Sequence, residues 1–98
     1  MQIEYRIVVT SNAANGLANI VDYIEGAFSV EVSDKFLNHF DEILLLIKTR
    51  PMMFPFSKTS NKVSRALVNR LTSIYFSTDE NVITILAIED NRKQQPKF

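Results

Sequence analysis

Arg65, Arg70, Arg92, Lys93 and Lys97 lie in or just beyond three strand-like runs, SRALVNR, SIYFST and VITILAIED, which lead into NRKQQPKF. Arg65 and Arg70 bracket the first run, and Arg92 and Lys93 follow the last. Guanidinium groups gathered on one small sheet would suit carboxylate or phosphate, because their planar fork of N–H donors matches a planar oxyanion. Lys58 and Lys62 would extend the same patch. Tyr75, on the middle run, offers a ring to stack on a base or a hydroxyl to meet a phosphate. The competing reading makes Tyr75 a core aromatic and the arginines solvated strand ends. Residue types alone favour that second reading modestly.

Other chemistries find little support. The 98 residues hold no cysteine, which removes disulfides, thiolate nucleophiles and cysteine-rich zinc sites. One histidine, His39, cannot build a His-based metal cluster, and beside an apolar stripe it reads as a helix-surface or half-buried residue rather than a ligand or catalytic group. With glycine only at positions 16 and 26, no phosphate-binding loop is present, and neither HExxH nor GxSxG occurs. Asp41 and Glu42 are adjacent, so on a helix they point about 100° apart and share no substrate. Glu89 and Asp90 close the last run, where they would hold the basic tail by ion pairs or simply mark an exposed strand end. No metal and no cofactor is expected.

Net charge is zero, yet residues 1–47 sum to −5 and residues 48–98 to +5. The second half would offer a positive surface to an acidic partner, protein or nucleic acid; alternatively the halves compensate each other within the fold. A hydrophobic fraction of 46% and this length fit a single folded domain over residues 1–98. The opening MQIEYRIVV alternates and carries early charge, unlike a signal peptide, and no run reaches the roughly 18 apolar residues of a membrane span. The expected compartment is the cytoplasm, with no membrane partner.

The elements that would position the basic set follow from periodicity. Ile3, Tyr5, Ile7 and Val9 alternate with Gln2, Glu4, Arg6 and Val8 as in a half-buried strand. Thr10, Ser11 and Asn12 supply N-cap side chains for a helix with the stripe Ala13, Leu17, Ile20, Val21 and Ile24, which Gly26 is placed to end. Ser29 caps a second helix, lined by Val32, Phe36, Phe40, Ile43, Leu44 and Ile47, with Leu45 alone on its polar face. Pro51 stops that helix, and MMFPF with SKTSNK reads as a loop of about a dozen residues. Asp79-Glu80-Asn81 suits a turn, and VITILAI, apolar on both faces, reads as a central strand. The order β-α-α-β-β-β predicts an α+β, two-layer fold: two helices on one face of a mostly antiparallel four-stranded sheet. Two helices cover one face, so part of the other would meet solvent, a groove or a partner.

In order and spacing, the opening strand to Thr10, NGLANIVDYIEGAFS, VSDKFLNHFDEILLLIKTRP with FPFS, SRALVNRLTSIYFSTDENVITILAIED and NRKQQP resemble the RelE/ParE toxin superfamily. That resemblance implies the toxin of a type II toxin–antitoxin (plasmid stabilisation) system, a bacterial growth inhibitor held inactive by a cognate antitoxin. RelE-like members cut mRNA on the ribosome with clustered basic residues and a tyrosine or histidine near the carboxyl end; ParE-like members inhibit DNA gyrase. Arg65, Arg70 and Arg92 match the basic cluster, with Lys62 and Lys93 beside it as target- or nucleic-acid-binding positions. For a ribosome-dependent endoribonuclease the catalytic candidates would be Arg65, Arg70, Tyr75 and Arg92. The tail NRKQQPKF lacks the terminal aromatic acid/base, ending in Phe98, and DNRKQQP is similar to D-x-R-Q-x-P endings among ParE-like chains. The resemblance therefore implies a ParE-like toxin acting on gyrase rather than an enzyme. The alternatives are an endoribonuclease of RelE type and a decayed, inactive toxin.

Overall fold

A computed structural model describes residues 4–92. Strand β1 (Arg6–Val9) is followed by helices α1 (Ser11–Ala27) and α2 (Val30–Thr49), and a short 3-10 turn spans Pro51–Met53. Strands β2 (Phe56–Ser57), β3 (Ser60–Asn69), β4 (Thr72–Asp79) and β5 (Val82–Asp90) follow. Among the described residues the sheet has five strands in the order β1-β5-β4-β3-β2, parallel only between β1 and β5. The fold is thus the α+β two-layer arrangement expected from sequence, with one strand more than the four predicted.

The extra strand lies where a long loop was expected. Phe56 and Ser57 turn back onto Ser64 and Ser60, so β3 starts at Ser60 rather than after the polar run. A two-residue strand leaves no period for a sequence pattern to show, and the serines and asparagine of SKTSNK look like loop residues whichever state they adopt.

Both helices begin where hydroxyl side chains allow. Thr10 and Ser29 are extended and accept from the backbone N–H of Ala13 and Val32 at 3.1 Å each. Gly26 does not end α1: the helix runs through Ala27, and the cap is Phe28, whose N–H donates to the Ile24 carbonyl at 2.9 Å. No described glycine has positive φ.

The two helices pack on one sheet face. Ala13, Phe36, Phe40 and Ile47 meet Ala66, Val68, Ile74, Phe76, Ile83, Ile85 and Ile88 in one core, with Leu17, Ile20, Val21 and Ile24 against it. Val32, placed in the second helix's stripe, is instead 42% exposed. Because strand side chains alternate, the next residues along β3, β4 and β5 face the other way. There Val63, Tyr75 and Ala87, with Leu86, form a second cluster that no helix residue joins. Strand β5 lies between β1 and β4, which accounts for its two apolar faces.

Candidate functional site

The face away from the helices carries the polar residues that matter. Pairing aligns Arg65 with Tyr75 and Ala87, and Leu67 with Ser73 and Glu89. Directly opposed residues share a face, so Arg65, Leu67, Ser73, Tyr75 and Glu89 stand together. Arg65 is half-buried, Ser73 fully buried and Leu67 exposed.

Arg65 is held by neutral groups. Its Nε donates to Ser73 Oγ at 3.0 Å and its Nη2 to Asn91 Oδ1 at 3.3 Å. The Ser73 hydroxyl donates to the same Asn91 oxygen at 2.6 Å. Asn91 Nδ2 then donates to the Arg70 carbonyl at 3.2 Å, and its backbone N–H to the Leu71 carbonyl at 2.6 Å. Asn91 therefore ties the end of β5 to the β3–β4 turn and to Arg65 at once. Sequence reasoning passed over Asn91 and Ser73, because neither residue type signals chemistry without its neighbours; only the register brings them beside Arg65.

The expected basic set divides. Arg65 and Arg70 are joined through Asn91, although Arg70 contributes its carbonyl there and its side chain lies at an exposed turn. Arg92 goes elsewhere. Its Nε and Nη2 form a two-pronged pair with Asp90 at 3.0 and 2.7 Å, Nη1 donates to the Tyr23 hydroxyl at 3.4 Å, and the guanidinium sits 4.8 Å from the Tyr23 ring centre on α1. The hydrogen bond to Asp90, then that to Tyr23, holds Arg92 charged even more firmly than arginine normally is. Lys62 is exposed on β3, and Lys93 lies outside the described residues. Tyr75 is 1% exposed between Val63 and Ala87, so its ring presents no open face for a base. This agrees with the core-aromatic reading of that residue.

Grooves flank both helices. One, of about 390 Å³, runs between α1 and the end of β5 past Asn15, Asn19, Tyr23, Asp90 and Arg92. Another, shallower, lies beside β1 and α2, where Leu44 and the exposed Leu45 meet Tyr5 and Ile7. His39 is half-exposed with Glu42 3.8 Å away, a helix-surface pair. Among the described residues no group of three or more histidine, aspartate or glutamate side chains is placed to hold a metal ion. None of the described helices is long and apolar enough to cross a membrane.

A solved structure described as the chromosomal ParDE TA system from P. aeruginosa contains a chain that superposes on this one with a TM-score of 0.75. The match covers 89% of this chain and 96% of that one, at 20% sequence identity. The two chains share a fold. No protein-family model and no curated protein sequence matches significantly. The likeness to that chain therefore lies in the fold, and it extends over nearly the full length of both chains.

Proposed function

We propose that the chain is a ParE-like toxin of a type II toxin–antitoxin pair, a bacterial growth inhibitor that a cognate antitoxin neutralises in the cytoplasm. The observation that carries this reading is the near-complete superposition on a chain of the ParDE structure. The half-buried Arg65 and the exposed Leu67, side by side on the sheet face that no described helix covers, support it as a place for a partner. DNA gyrase is the proposed target. The burial of Tyr75 favours blocking a target over cutting RNA, since general acid–base cleavage needs a group within reach of the 2′-hydroxyl. Arg65, Arg70, Arg92, Lys62 and Lys93 are the proposed contact residues.

The test is expression in bacterial cells without an antitoxin, paired with a supercoiling assay on purified gyrase. Growth arrest with loss of supercoiling is expected. Arrest with intact supercoiling and cleavage of ribosome-bound message would transfer the chain to the RelE-like class. Normal growth at high expression would leave a folded but inert toxin.

A further inference from the structure

Arg65 and Arg92 differ in what meets their charge. Arg92 has a carboxylate on it. Arg65 is held by two hydrogen bonds, to Ser73 and Asn91, and both partners are neutral. Among the described residues no carboxylate forms an ion pair with Arg65; Glu89 stands opposite Ser73 on the same face yet is not in ion-pair contact. The hydrogen-bond directions are mutually consistent. Arg65 donates to serine, serine donates to the Asn91 oxygen, and the Asn91 amide donates to a backbone carbonyl. The Asn91 carboxamide thus has one orientation that satisfies all its neighbours. Among the described residues this network uses two of the five guanidinium N–H donors, and the other three face no described acceptor within hydrogen-bond distance.

We propose that Ser73 and Asn91 are positioning residues that aim Arg65 as a receiving group for a side-chain carboxylate of an acidic peptide segment. A half-buried cation held only by dipoles keeps its attraction for an anion, and a pre-oriented fork loses little entropy on forming a two-pronged pair. Peptide carboxylate is favoured over nucleic-acid phosphate by the surroundings. Leu67, 53% exposed, gives an apolar contact on the same face, and Glu89 would repel a continuous polyanion.

The proposal is tested on the full chain by following the Arg65 Nε–Hε NMR signal at constant ionic strength. The probes are acetyl-Leu-Asp-Leu-amide, its Asn counterpart acetyl-Leu-Asn-Leu-amide, and inorganic phosphate. A saturable shift with the aspartyl peptide, absent with the asparaginyl one, is expected. Asn91→Ala should weaken binding about tenfold, the effect of one well-formed charge-assisted hydrogen bond. Asn91→Asp should abolish it while the backbone spectrum stays folded, because a built-in carboxylate then occupies the fork; a merely structural asparagine would not give that result. Ser73→Ala supplies a second variant should Asn91→Ala unfold. Saturation by phosphate alone, a non-saturating shift, or unchanged affinity in both alanine variants overturns the proposal. Growth arrest is not part of this readout, so an inert chain with a saturable Arg65 would sink the active-toxin reading and keep this one.

Discussion

Gly16 of α1 lies against the backbone carbonyl oxygen of Ile88 on β5, so closely that a Cβ at that position would overlap it. The contact sets the helix directly onto the part of β5 beyond Ile85, where β1 no longer pairs. A carbonyl is part of the sheet and cannot rotate away like a side chain. Gly16→Ala should therefore destabilise the fold by about 1–3 kcal/mol, the usual cost of forcing extra atoms into a packed site, despite the better helix propensity of alanine. Gly26 is the internal control. Nothing lies within 4 Å of a Cβ there, so Gly26→Ala should leave stability unchanged or raise it by up to about 1 kcal/mol. Urea unfolding of both variants checks the pair; equal midpoints would show that α1 does not press on β5 as described.

Thr10 links three elements. Its hydroxyl donates to the Ile85 carbonyl at 2.9 Å, its oxygen caps α1 at the Ala13 N–H, and its own N–H meets Ile85 again at 3.2 Å. Strand β5 has an extra residue here: Tyr75 pairs with Ala87 and Phe76 with Ile85, so Leu86 is bulged out, and Asn12 Nδ2 donates to its carbonyl at 3.0 Å. Thr10→Val keeps the shape and removes the oxygen. The expected loss is about 1–2 kcal/mol, because the Ile85 carbonyl loses one of its two donors together with the cap. A thermal midpoint within one degree of the parent would refute this role.

Glu80 occupies the turn between β4 and β5 with φ 55°, the left-handed region. Side chains with a Cβ are strained there, and asparagine or glycine is tolerated better. Glu80→Gly and Glu80→Asn should each raise stability by about 0.5–1 kcal/mol in chemical denaturation. A fall in either would mean that the glutamate side chain contributes something the backbone angle does not reveal.

Periodicity made the layers legible, and hydrogen-bond register did not follow from it. Thr10 and Ser29 announced both helix starts, and the 3–4 spacing of Phe36, Phe40 and Ile47 named buried residues. Gly26 fails as a helix end for a simple reason: glycine permits a left-handed cap but does not compel one, and the chain continues to Phe28. Tyr75 could be read from sequence as core or as site, because a strand residue's face depends on a pairing that cannot be counted along the chain. The division of Arg65 from Arg92 was hidden for a related reason. Arg92 follows Asn91 by one residue, yet the two side chains leave the strand end in different directions, one to α1 and the other to the open face.

That division gives the last prediction, which concerns growth inhibition in cells lacking antitoxin. If the open face engages the target, the arginine whose charge is uncompensated should matter more than the one already paired. Arg65→Ala is expected to reduce potency at least about tenfold, the order associated with removing one charge-assisted hydrogen bond from an interface. Arg92→Ala should reduce it no more than about threefold, since Asp90 must be separated from Arg92 before a new anion can use the same fork, and an exposed pair adds little by itself. Dose–response curves at matched expression, with folding confirmed by circular dichroism, provide the comparison. An Arg92→Ala defect as large as that of Arg65→Ala would move the working surface from the open sheet face to the groove between α1 and β5, where Tyr23 and Arg92 meet.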